Sequence, residues 1–408
     1  MHLSRSILTS DFFLFSRNRM TVYSTGHDFK MRSVVENGLV LDFSSMLSID
    51  VDETREIVTV GTGNKFGDIL QEVNSRTEGR YTVASGYVRD VGPYGFSTAG
   101  GISVFSTTYG MGADMIHGFE CVTASGRWLR VEEGDTLHQE LLRAVRGSGG
   151  TTFCVVLRLI LKLLPEFPNV ETYVSNTYAL VGLNQIRQFS ASMPDNVVFW
   201  YQLVRIDRFV RTQFIAGCYG GSQECRRKLG PLLRLGYNGR IQSYSSHYSF
   251  MVNVLAGAID NGTPQTAVYQ ASIAVPGEKL RANPAALNQF DDFVRNAPAG
   301  TVGSVNMRPL GGASARNDPD GELTSVSRQF RKANLFINCL ITWTQDGPQT
   351  PPGIREYVDQ FYERVMRPLG TEDAWQYTNE GQHYMPDWYN RYWNGAAGYQ
   401  VCILQQKQ

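Results

Sequence analysis

The sequence carries no excess of charge of either sign. Among its 408 residues, 38 Lys and Arg are balanced by 38 Asp and Glu, so the formal net charge at pH 7 is zero. Nucleic-acid binding needs a basic surface, and this balance argues against nucleic acid as a partner. The sequence also has no apolar run approaching the roughly 18 residues of a membrane-spanning helix, so no membrane span is predicted.

Cysteine and histidine are scarce and lack the spacings of metal sites. The six histidines form no His-Glu-x-x-His motif, and no cysteines stand in a Cys-x-x-Cys pair. We therefore expect no metal site and interpret the cysteines as buried thiols. They are Cys121, Cys154, Cys218, Cys225, Cys339 and Cys402. A Gly-x-Ser-x-Gly nucleophile elbow is also missing, which removes the signature of the α/β-hydrolases.

A secretory signal is not indicated at the amino end. The stretch SILTSDFFLFSRNRM is apolar only in parts, Asp11 interrupts it, and no small-residue cleavage pattern accompanies it. A secreted and a cytoplasmic location therefore both stay open, and so does the oligomeric state.

Glycine and aromatic residues are abundant. Glycine provides 40 of the 408 residues, while Phe, Tyr and Trp number 21, 20 and 6. Average glycine content is near 7%, and here the glycines cluster where the backbone must approach another group closely. This pattern favours ligand-binding loops, and the aromatic residues supply material to line a pocket.

The chain is longer than a usual single domain, and its pattern of predicted strands and helices changes along its length. Strand and helix signals alternate through residues 1–165. Longer strands and amphipathic helices fill residues 166–373, which predicts a sheet covered by helices on one face. The tail, residues 374–408, is rich in Tyr and Trp and has little regular period. We predict an α+β fold with these three parts.

Local patterns give more detailed predictions for the first part. The segment NKFGDILQEVNS predicts a helix capped by Asn64. The segment FECVTASGRWLRVE predicts a hairpin that turns at Ser125 and Gly126. In GDTLHQELLRAVRG, the apolar residues place Leu137 on the buried face of a helix with Leu142 and Val145.

Three glycine-bearing segments are candidates for holding a ligand. They are STGHDFKMRS (residues 24–33), ASGYVRDVGPYGFSTAGGIS (residues 84–103) and RAVRGSGGTTFCVV (residues 143–156). Backbone N–H groups in such loops can face an anion such as a pyrophosphate. Taken singly, each also fits a tight turn without a ligand, and an isolated histidine such as His27 also fits a cap or a core position.

The order and spacing of these segments resemble the FAD-binding domain of the vanillyl-alcohol oxidase and p-cresol methylhydroxylase superfamily, most closely its berberine-bridge-enzyme-like branch. The resemblance runs from about Met20 to Pro165 and returns in the tail, WQYTNEGQHYMPDWYNRYW. It implies a flavoprotein with a PCMH-type FAD-binding domain (residues 1–165), a substrate domain of antiparallel sheet covered by helices (residues 166–373), and a segment returning to the FAD domain (residues 374–408). Relatives are longer at both ends, so we expect a chain truncated at both termini.

The resemblance also implies how FAD would be held. His27 would carry it covalently from an imidazole nitrogen to the 8α methyl of the ring. Because Val88 stands where some relatives place a second linking cysteine, a single link through His27 is expected. The other residues implied to hold the cofactor are Gly26, Asp28, Arg32, Ser33, Gly86, Gly92, Gly95, Gly100, Gly101, Gly149, Gly150 and Val155.

Catalysis in the family is hydride transfer from a substrate carbon to flavin N5 while a base takes a hydroxyl proton. Tyr377 matches the family's tyrosine, and Glu380 is the second candidate base. Some relatives have a glutamate where this chain has Leu340, so that route is closed. The alternative is that Tyr377 and Glu380 only pack the tail onto the flavin domain. Tyr201 is a further candidate for the substrate face, although a tyrosine at such a strand position more often belongs to a half-buried sheet.

The expected function is that of an FAD-dependent oxidase acting on a small organic substrate, which is an alcohol, a sugar or a secondary metabolite, with dioxygen reoxidising the flavin. Two alternatives stay open. One is a degenerate, non-catalytic protein with a flavin fold, and the other is a dehydrogenase that uses another acceptor. The identity of the substrate is not predicted.

Overall fold

Two β-sheets organise the chain. The computed structural model describes residues 19–149, 152–177, 193–206, 208–233, 239–255, 266–283, 286, 288–344, 351–370, 375–382 and 392. The strands are β1 (Met20–Tyr23), β2 (Leu39–Asp42), β3 (Ile49–Asp52), β4 (Ile57–Gly61), β5 (Tyr81–Thr82), β6 (Ile116–Val122), β7 (Trp128–Glu132), β8 (Val155–Lys162), β9 (Leu164–Pro165), β10 (Val170–Thr177), β11 (Val197–Ile206), β12 (Phe209–Tyr219), β13 (Arg240–Tyr244), β14 (Thr266–Val275), β15 (Val302–Pro309) and β16 (Leu335–Thr344).

Short helices connect and cover the strands. They are α1 (Phe66–Arg76), α2 (Pro93–Thr98), α3 (Gln139–Val145), α4 (Ser222–Leu233), α5 (His247–Phe250), α6 (Gly277–Ala282), α7 (Asn288–Arg295), α8 (Ala313–Arg316), α9 (Arg328–Arg331) and α10 (Ile354–Phe361). Single 3₁₀ turns lie at Gly112–Met115 and Arg367–Leu369, and π-helical turns lie at Met251–Leu255 and Tyr362–Met366. Within the described residues, no helix is both long enough and apolar enough to cross a bilayer.

The smaller sheet has the strand order β3-β4-β8-β6-β7 and is antiparallel throughout. Beside it lie a parallel pair, β1 with β2, and an antiparallel pair, β5 with β9. The predicted hairpin is confirmed, because β6 and β7 pair through the turn that contains Ser125 and Gly126. Helix α1 buries Phe66, Ile69, Leu70 and Val73 against this region, as its apolar spacing predicts.

Two local predictions in this region were wrong. Asn64 does not cap α1, because Lys65 occupies the cap position and the Asn64 amide donates to the carbonyl oxygens of Gly61 at 2.9 Å and Ser48 at 3.0 Å. Leu137 lies before α3 and is 81% exposed, since the helix begins only at Gln139. In both cases the chain enters its helix later than the sequence pattern indicates.

The larger sheet has seven strands in the order β13-β10-β12-β11-β15-β16-β14, and all its pairs are antiparallel. Helices α4, α7 and α10 cover one face, which is apolar and which we call the helix face. Its buried strand residues include Phe199, Tyr201, Phe214, Val305, Ile337 and Ile341. This arrangement confirms the predicted α+β fold, with an antiparallel sheet covered by helices.

The opposite face of the larger sheet, which we call the site face, turns toward the smaller sheet. Val198, Trp200 and Ile215 join the core of the first region. The rings of Tyr87 and Trp200 lie 5.2 Å apart, and the Tyr87 hydroxyl donates to the carbonyl of Phe199 at 3.2 Å. These contacts fix the site face against the glycine-rich loops.

Two of the cysteines are paired, which corrects the expectation of thiols only. Cys218 at the end of β12 forms a disulfide with Cys225 in α4. The turn between the strand and the helix brings the two residues together over a separation of 7 residues. Cys121, Cys154 and Cys339 are buried free thiols, as predicted, and Cys402 lies outside the described residues.

Candidate active site

The turn after β1 places a histidine at the surface. Gly26 has φ +79°, and a Cβ there would lie 2.6 Å from the hydroxyl oxygen of Tyr23. Both the conformation and the close approach therefore require glycine. His27 follows directly and is exposed.

An ion pair holds the shape of this turn. The backbone N–H of Arg32 donates to Asp28 Oδ2 at 2.6 Å, and Arg32 Nη2 donates to Asp28 Oδ1 at 2.6 Å. Burial raises the pKa of Asp28, but the hydrogen bond and charge of Arg32 outweigh it and leave the pKa below its usual value. Asp28 is therefore an anion that orients Arg32. Ser33, next in the chain, is half-buried.

The second glycine segment packs directly on this turn. The Gly92 N–H donates to Thr25 Oγ1 at 3.1 Å, and a Cβ on Gly92 would lie 2.8 Å from Thr25 Cγ2. Gly86 is buried, and a Cβ there would lie 3.1 Å from the ring of Phe96. Glycine at Gly86 and Gly92 thus serves close packing.

The same segment then turns toward the tail. Gly100 and Gly101 have φ of +109° and +69°. A Cβ on Gly101 would lie 2.7 Å from the Phe96 ring, and one on Gly100 would lie 3.6 Å from the Tyr377 ring. The conformation of this loop therefore depends on glycine, and the loop reaches the tyrosine predicted to be catalytic.

The third glycine segment lies alongside the second. Its Gly147 and Gly149 N–H groups both donate to the carbonyl of Thr98, at 2.9 and 2.8 Å. Gly149 has φ +86° and open space where a Cβ would stand. Val155 begins β8 and is half-buried. Gly150 lies outside the described residues.

The tail segment 375–382 links the first two glycine segments at Asn379. The Asn379 amide nitrogen donates to the Tyr377 hydroxyl and to the Gly95 carbonyl, each at 3.1 Å. Its oxygen accepts from Arg32 Nη2 at 2.9 Å. A second link joins the turn to the tail, because Lys30 Nζ donates to the Tyr392 hydroxyl at 2.6 Å.

A small cavity of about 20 Å³ lies beside these contacts. Its lining residues are Ala99, Gly100, Met111, Gly147, Val326, Ser327, Phe330, Gln376, Tyr377, Thr378 and Tyr392. Both later glycine segments and the tail therefore contribute to one concave surface.

Tyr377 is buried and lies near one negative and one positive side chain, Glu380 and Arg308. Burial, with the nearby Glu380 carboxylate, raises the pKa of Tyr377 to about 12. The charge of Arg308 and the hydrogen bond from Asn379 act in the opposite direction. The phenol is therefore neutral at pH 7, and the two polar neighbours favour its ionised form.

Glu380 is engaged by other side chains of the site. Its Oε2 atom pairs with Arg308 and accepts from Asn338 Nδ2 at 2.9 Å. Arg308 is buried and lies over the rings of Phe336, at 4.7 Å, and Trp200, at 5.5 Å. This pair combines charge neutralisation with cation–π contact.

Sequence reasoning missed Arg308, Asn338 and Asn379. Asn379 stood within the tail motif, but Arg308 and Asn338 join the site only through strand pairing. The hypothesis that Tyr201 lines the substrate face was wrong, because Tyr201 is fully buried on the helix face. Leu340 does lie on the site face, half-buried.

The residues present fit a flavin dinucleotide. A Cβ added at Gly95 or Gly149 would meet no atom within 4 Å, so a bulky group can lie against both loops. His27 is exposed, and Gly26 before it has the φ of +79° that favours glycine. Within the described residues, no group of His, Cys, Asp and Glu has the arrangement of a metal site.

Comparison with known proteins gives consistent results. A family model described as an FAD binding domain matches residues 14–132. The chain is 23% identical over 386 residues to the uncharacterized FAD-linked oxidoreductase YgaK of Bacillus subtilis, which covers 90% of this chain and 78% of that protein. It is 26% identical over 208 residues to berberine bridge enzyme-like 9 of Arabidopsis thaliana, which covers 50% of this chain and 37% of that protein.

A solved structure extends the likeness to the whole fold. Chitooligosaccharide oxidase superposes with a TM-score of 0.80 at 17% sequence identity, covering 99% of this chain and 87% of that one. At this level of identity the likeness establishes a common fold, which includes both sheets.

Proposed function

We propose that the chain is an FAD-linked oxidase of the berberine-bridge-enzyme-like branch, and that it removes a hydride from an alcohol carbon while Tyr377 takes the hydroxyl proton. FAD, when bound, supplies the hydride acceptor. The protein residues position both reactants and manage the proton.

The observation that carries this proposal is the position of Asn379. Its amide contacts the Tyr377 hydroxyl, the Gly95 carbonyl and the Arg32 guanidinium. One side chain thus links the turn that bears His27, the glycine loop and the proposed base. Residues proposed to hold FAD and to act on the substrate therefore share a hydrogen-bond partner.

We propose that the cofactor is held by residues of the three glycine segments. His27 would attach it covalently, with Gly26, Asp28, Arg32 and Ser33 shaping that turn. The remaining residues would approach it through the backbone, and they are Gly86, Gly92, Gly95, Gly100, Gly101, Gly149, Gly150 and Val155.

Tyr377 needs electrostatic help to act as a base at neutral pH. Its pKa of about 12 leaves little phenolate, and efficient general bases have a pKa near the working pH. Arg308 supports the proposal because its charge lowers the pKa of this phenol. Glu380 is the reserve base, but its oxygen is paired with Arg308 and Asn338, so we assign it the role of holding Arg308 in place.

The division of labour between the parts of the chain is also a proposal. Residues 1–165 and 374–408 would hold FAD, and residues 166–373 would hold the substrate. The strand pairing supports this division, because β9 ends at Pro165 and β10 joins the larger sheet from Val170.

The attachment of the cofactor can be tested by acid precipitation. We expect the wild-type pellet to keep the yellow absorbance of a flavin and the His27→Ala pellet to lose it. His117→Ala is the control, since His117 is a half-exposed histidine paired with Glu133, and its pellet should stay yellow. Free flavin in the wild-type supernatant would remove the covalent link from the proposal.

The acceptor can be identified from the product of reoxidation. Dioxygen as acceptor predicts one hydrogen peroxide for each alcohol oxidised. Reduction of an artificial dye without peroxide would make the protein a dehydrogenase. No anaerobic bleaching with any alcohol or sugar would favour the non-catalytic alternative.

A further inference from the structure

The hydroxyl group of Tyr377 accepts hydrogen bonds but has no acceptor for its own proton among the described residues. Its oxygen accepts from the Asn379 amide at 3.1 Å, and the backbone N–H of Gly101 also favours the ionised phenol. Both neighbours are therefore donors. A buried hydroxyl proton without an acceptor is unfavourable. The Tyr377 proton thus calls for an acceptor that the described side chains do not supply.

The small cavity beside Tyr377 has room for such an acceptor. Its volume is about 20 Å³, and one water molecule needs roughly 10–15 Å³ together with two to four polar partners. The polar residues that line the cavity are Ser327, Gln376, Tyr377, Thr378 and Tyr392. Two tyrosines, Tyr377 and Tyr392, therefore border the same water-sized space.

Tyr392 joins this cavity to a lysine of the turn that bears His27. Lys30 Nζ donates to the Tyr392 hydroxyl oxygen at 2.6 Å and lies 4.6 Å from the centre of its ring. Lys30 itself is half-buried, so its amino group can exchange protons with solvent. Polar groups thus lead from Tyr377 through the cavity and Tyr392 to Lys30.

The charges around Lys30 favour its neutral form. The groups that face it are Asp28 and Arg32 on its own turn and Tyr392 on the tail. Asp28 is paired with Arg32 at 2.6 Å, and Lys30 forms no ion pair within the described part of the chain. Burial and the charge of Arg32 lower the pKa of Lys30 to about 7, against the attraction of Asp28. An amine with such a pKa accepts a proton efficiently at neutral pH.

We propose that Lys30 is the final proton acceptor of the proposed reaction, reached from Tyr377 through a water molecule in the cavity and the hydroxyl group of Tyr392. The inference rests on the proposed function of this site. It explains how a phenol that is neutral at pH 7 can act there as a base.

The relay moves protons only and conserves them at each step. The O–H bond of the substrate breaks as the Tyr377 oxygen takes its proton, while the proton of Tyr377 passes to the water molecule. A proton of the water passes to the Tyr392 oxygen, and the Tyr392 proton passes to Lys30 Nζ. Each oxygen of the relay gains one proton and loses one, and Lys30 becomes an ammonium ion that returns its proton to solvent. The electron pair leaves the substrate carbon with the hydride.

A purely structural role for Lys30 makes a different prediction. If Lys30 only fastened the turn to the tail, an arginine would serve as well, because a guanidinium also donates to a hydroxyl group and stacks on an aromatic ring. Arginine keeps its charge at every accessible pH, so it cannot accept the proton. Lys30→Arg therefore separates a relay from a structural contact.

The test follows anaerobic bleaching of the flavin by glucose, cellobiose and benzyl alcohol from about pH 5 to 10. The wild-type rate should rise about tenfold for each pH unit up to a step near pH 7, since only neutral Lys30 accepts a proton. At pH 8, Lys30→Met, Lys30→Arg and Tyr392→Phe should each be about 10²-fold slower. All three should lack the step near pH 7, keep their flavin and retain the alkaline climb of Tyr377.

Two further measurements sharpen this test. Methylamine should restore the step near pH 7 in Lys30→Met, because it supplies the missing acceptor. Lys279→Met is the matched control, since Lys279 is exposed on α6, and its profile should equal that of the wild type.

Three results would overturn the inference while the proposed function stands, and all three require a wild type that a probe bleaches. They are a wild-type profile in Lys30→Arg, a wild-type profile in Tyr392→Phe, and variants whose rates fall only in proportion to their flavin content. A flavin-loaded wild type that none of the probes bleaches would instead remove the proposed function, and the relay with it.

Discussion

The two faces of the larger sheet are built from alternate residues of the same strands, yet they differ in kind. On the helix face, Phe199, Tyr201 and Phe214 pack in a closed apolar core. On the site face, their neighbours Gln202 and Gln213 are amides. Strand geometry makes this possible, because successive side chains point to opposite sides of a sheet.

The two faces differ in whether their buried side chains carry groups that need hydrogen-bond partners. Apolar side chains on the helix face have no hydrogen bonds to lose, so they need no partner beyond the helices. On the site face, Gln213 and Asn338 keep buried oxygens that lack partners in the described part of the chain. Proteins depart from ideal packing in this way mainly at functional sites.

The largest effect that we expect comes from Tyr377, at the end of the site face. Tyr377→Phe removes the proposed base but keeps the ring, so kcat should fall by about 10²–10⁴-fold while the melting temperature changes little. Since the base must be ionised and its pKa is raised to about 12, the wild-type rate should climb with pH through the alkaline range. Steady-state kinetics across pH checks both statements.

A structural role for Tyr377 would give a different pattern. If the phenyl variant kept the wild-type kcat, or lost activity only in proportion to a lower melting temperature, proton transfer would have to be assigned elsewhere. Glu380 would then be the next residue to test.

The second prediction contrasts the two faces by stability. Phe214 is 1% exposed, with its ring 5.7 Å from Phe199 and 5.8 Å from Tyr173. Phe214→Ala should lower the free energy of unfolding by about 3–5 kcal/mol, since it leaves a cavity in a packed core. Gln213→Met, the adjacent residue on the other face, should not lower it.

Chemical denaturation of both variants measures this contrast. Equal losses of stability would mean that the polar residues of the site face are an ordinary part of the core. A large loss of stability for Phe214→Ala alone would show that the helix face of β12 stabilises the fold and that Gln213 on the site face does not.

Much of the fold follows from the sequence, because most elements are decided locally. The strands around Phe199 and Ile337 are apolar runs, and the helix at Phe66 has a clear apolar spacing. The sequence could not predict which side chains of β11 point to which face of the sheet. Both faces of this strand are buried, so apolar and polar residues do not alternate clearly along it. This is why the sequence left open which face Tyr201 occupies.

The candidate site likewise contains residues that short motifs identify and residues that only the tertiary structure brings together. His27 and Tyr377 stand in short motifs, so a resemblance could identify them, although their roles stay predictions. Arg308 and Asn338 meet Glu380 only because β15 and β16 pair in one register. Register is set by contacts between distant segments, and no local pattern contains it.

The smallest effect expected concerns another buried oxygen, on Glu166 between β9 and β10. Glu166 Oε1 accepts from the backbone N–H groups of Phe167, at 2.8 Å, and His247, at 2.9 Å. Its Oε2 is buried without a partner in the described residues. Burial raises the pKa of Glu166 to about 7.

The sign of the pH effect follows from that shift. Below the ordinary carboxyl pKa, Glu166 is protonated in both the folded and the unfolded chain and the effect vanishes. As the pH rises toward 7, the unfolded chain ionises first, so the fold loses stability. Glu166→Gln should therefore match the wild type near pH 4 and gain roughly 1–3 kcal/mol above pH 7, as measured by denaturation at several pH values.

This variant also sharpens the comparison of the two faces. Glu166 is half-buried between β9 and β10, whereas Gln213 on the site face is 4% exposed. Glu166→Gln should therefore change stability in a pH-dependent way, while Gln213→Met, which removes no titratable group, should not. If the Glu166 variant instead lost stability above pH 7, the carboxylate would have a stabilising donor.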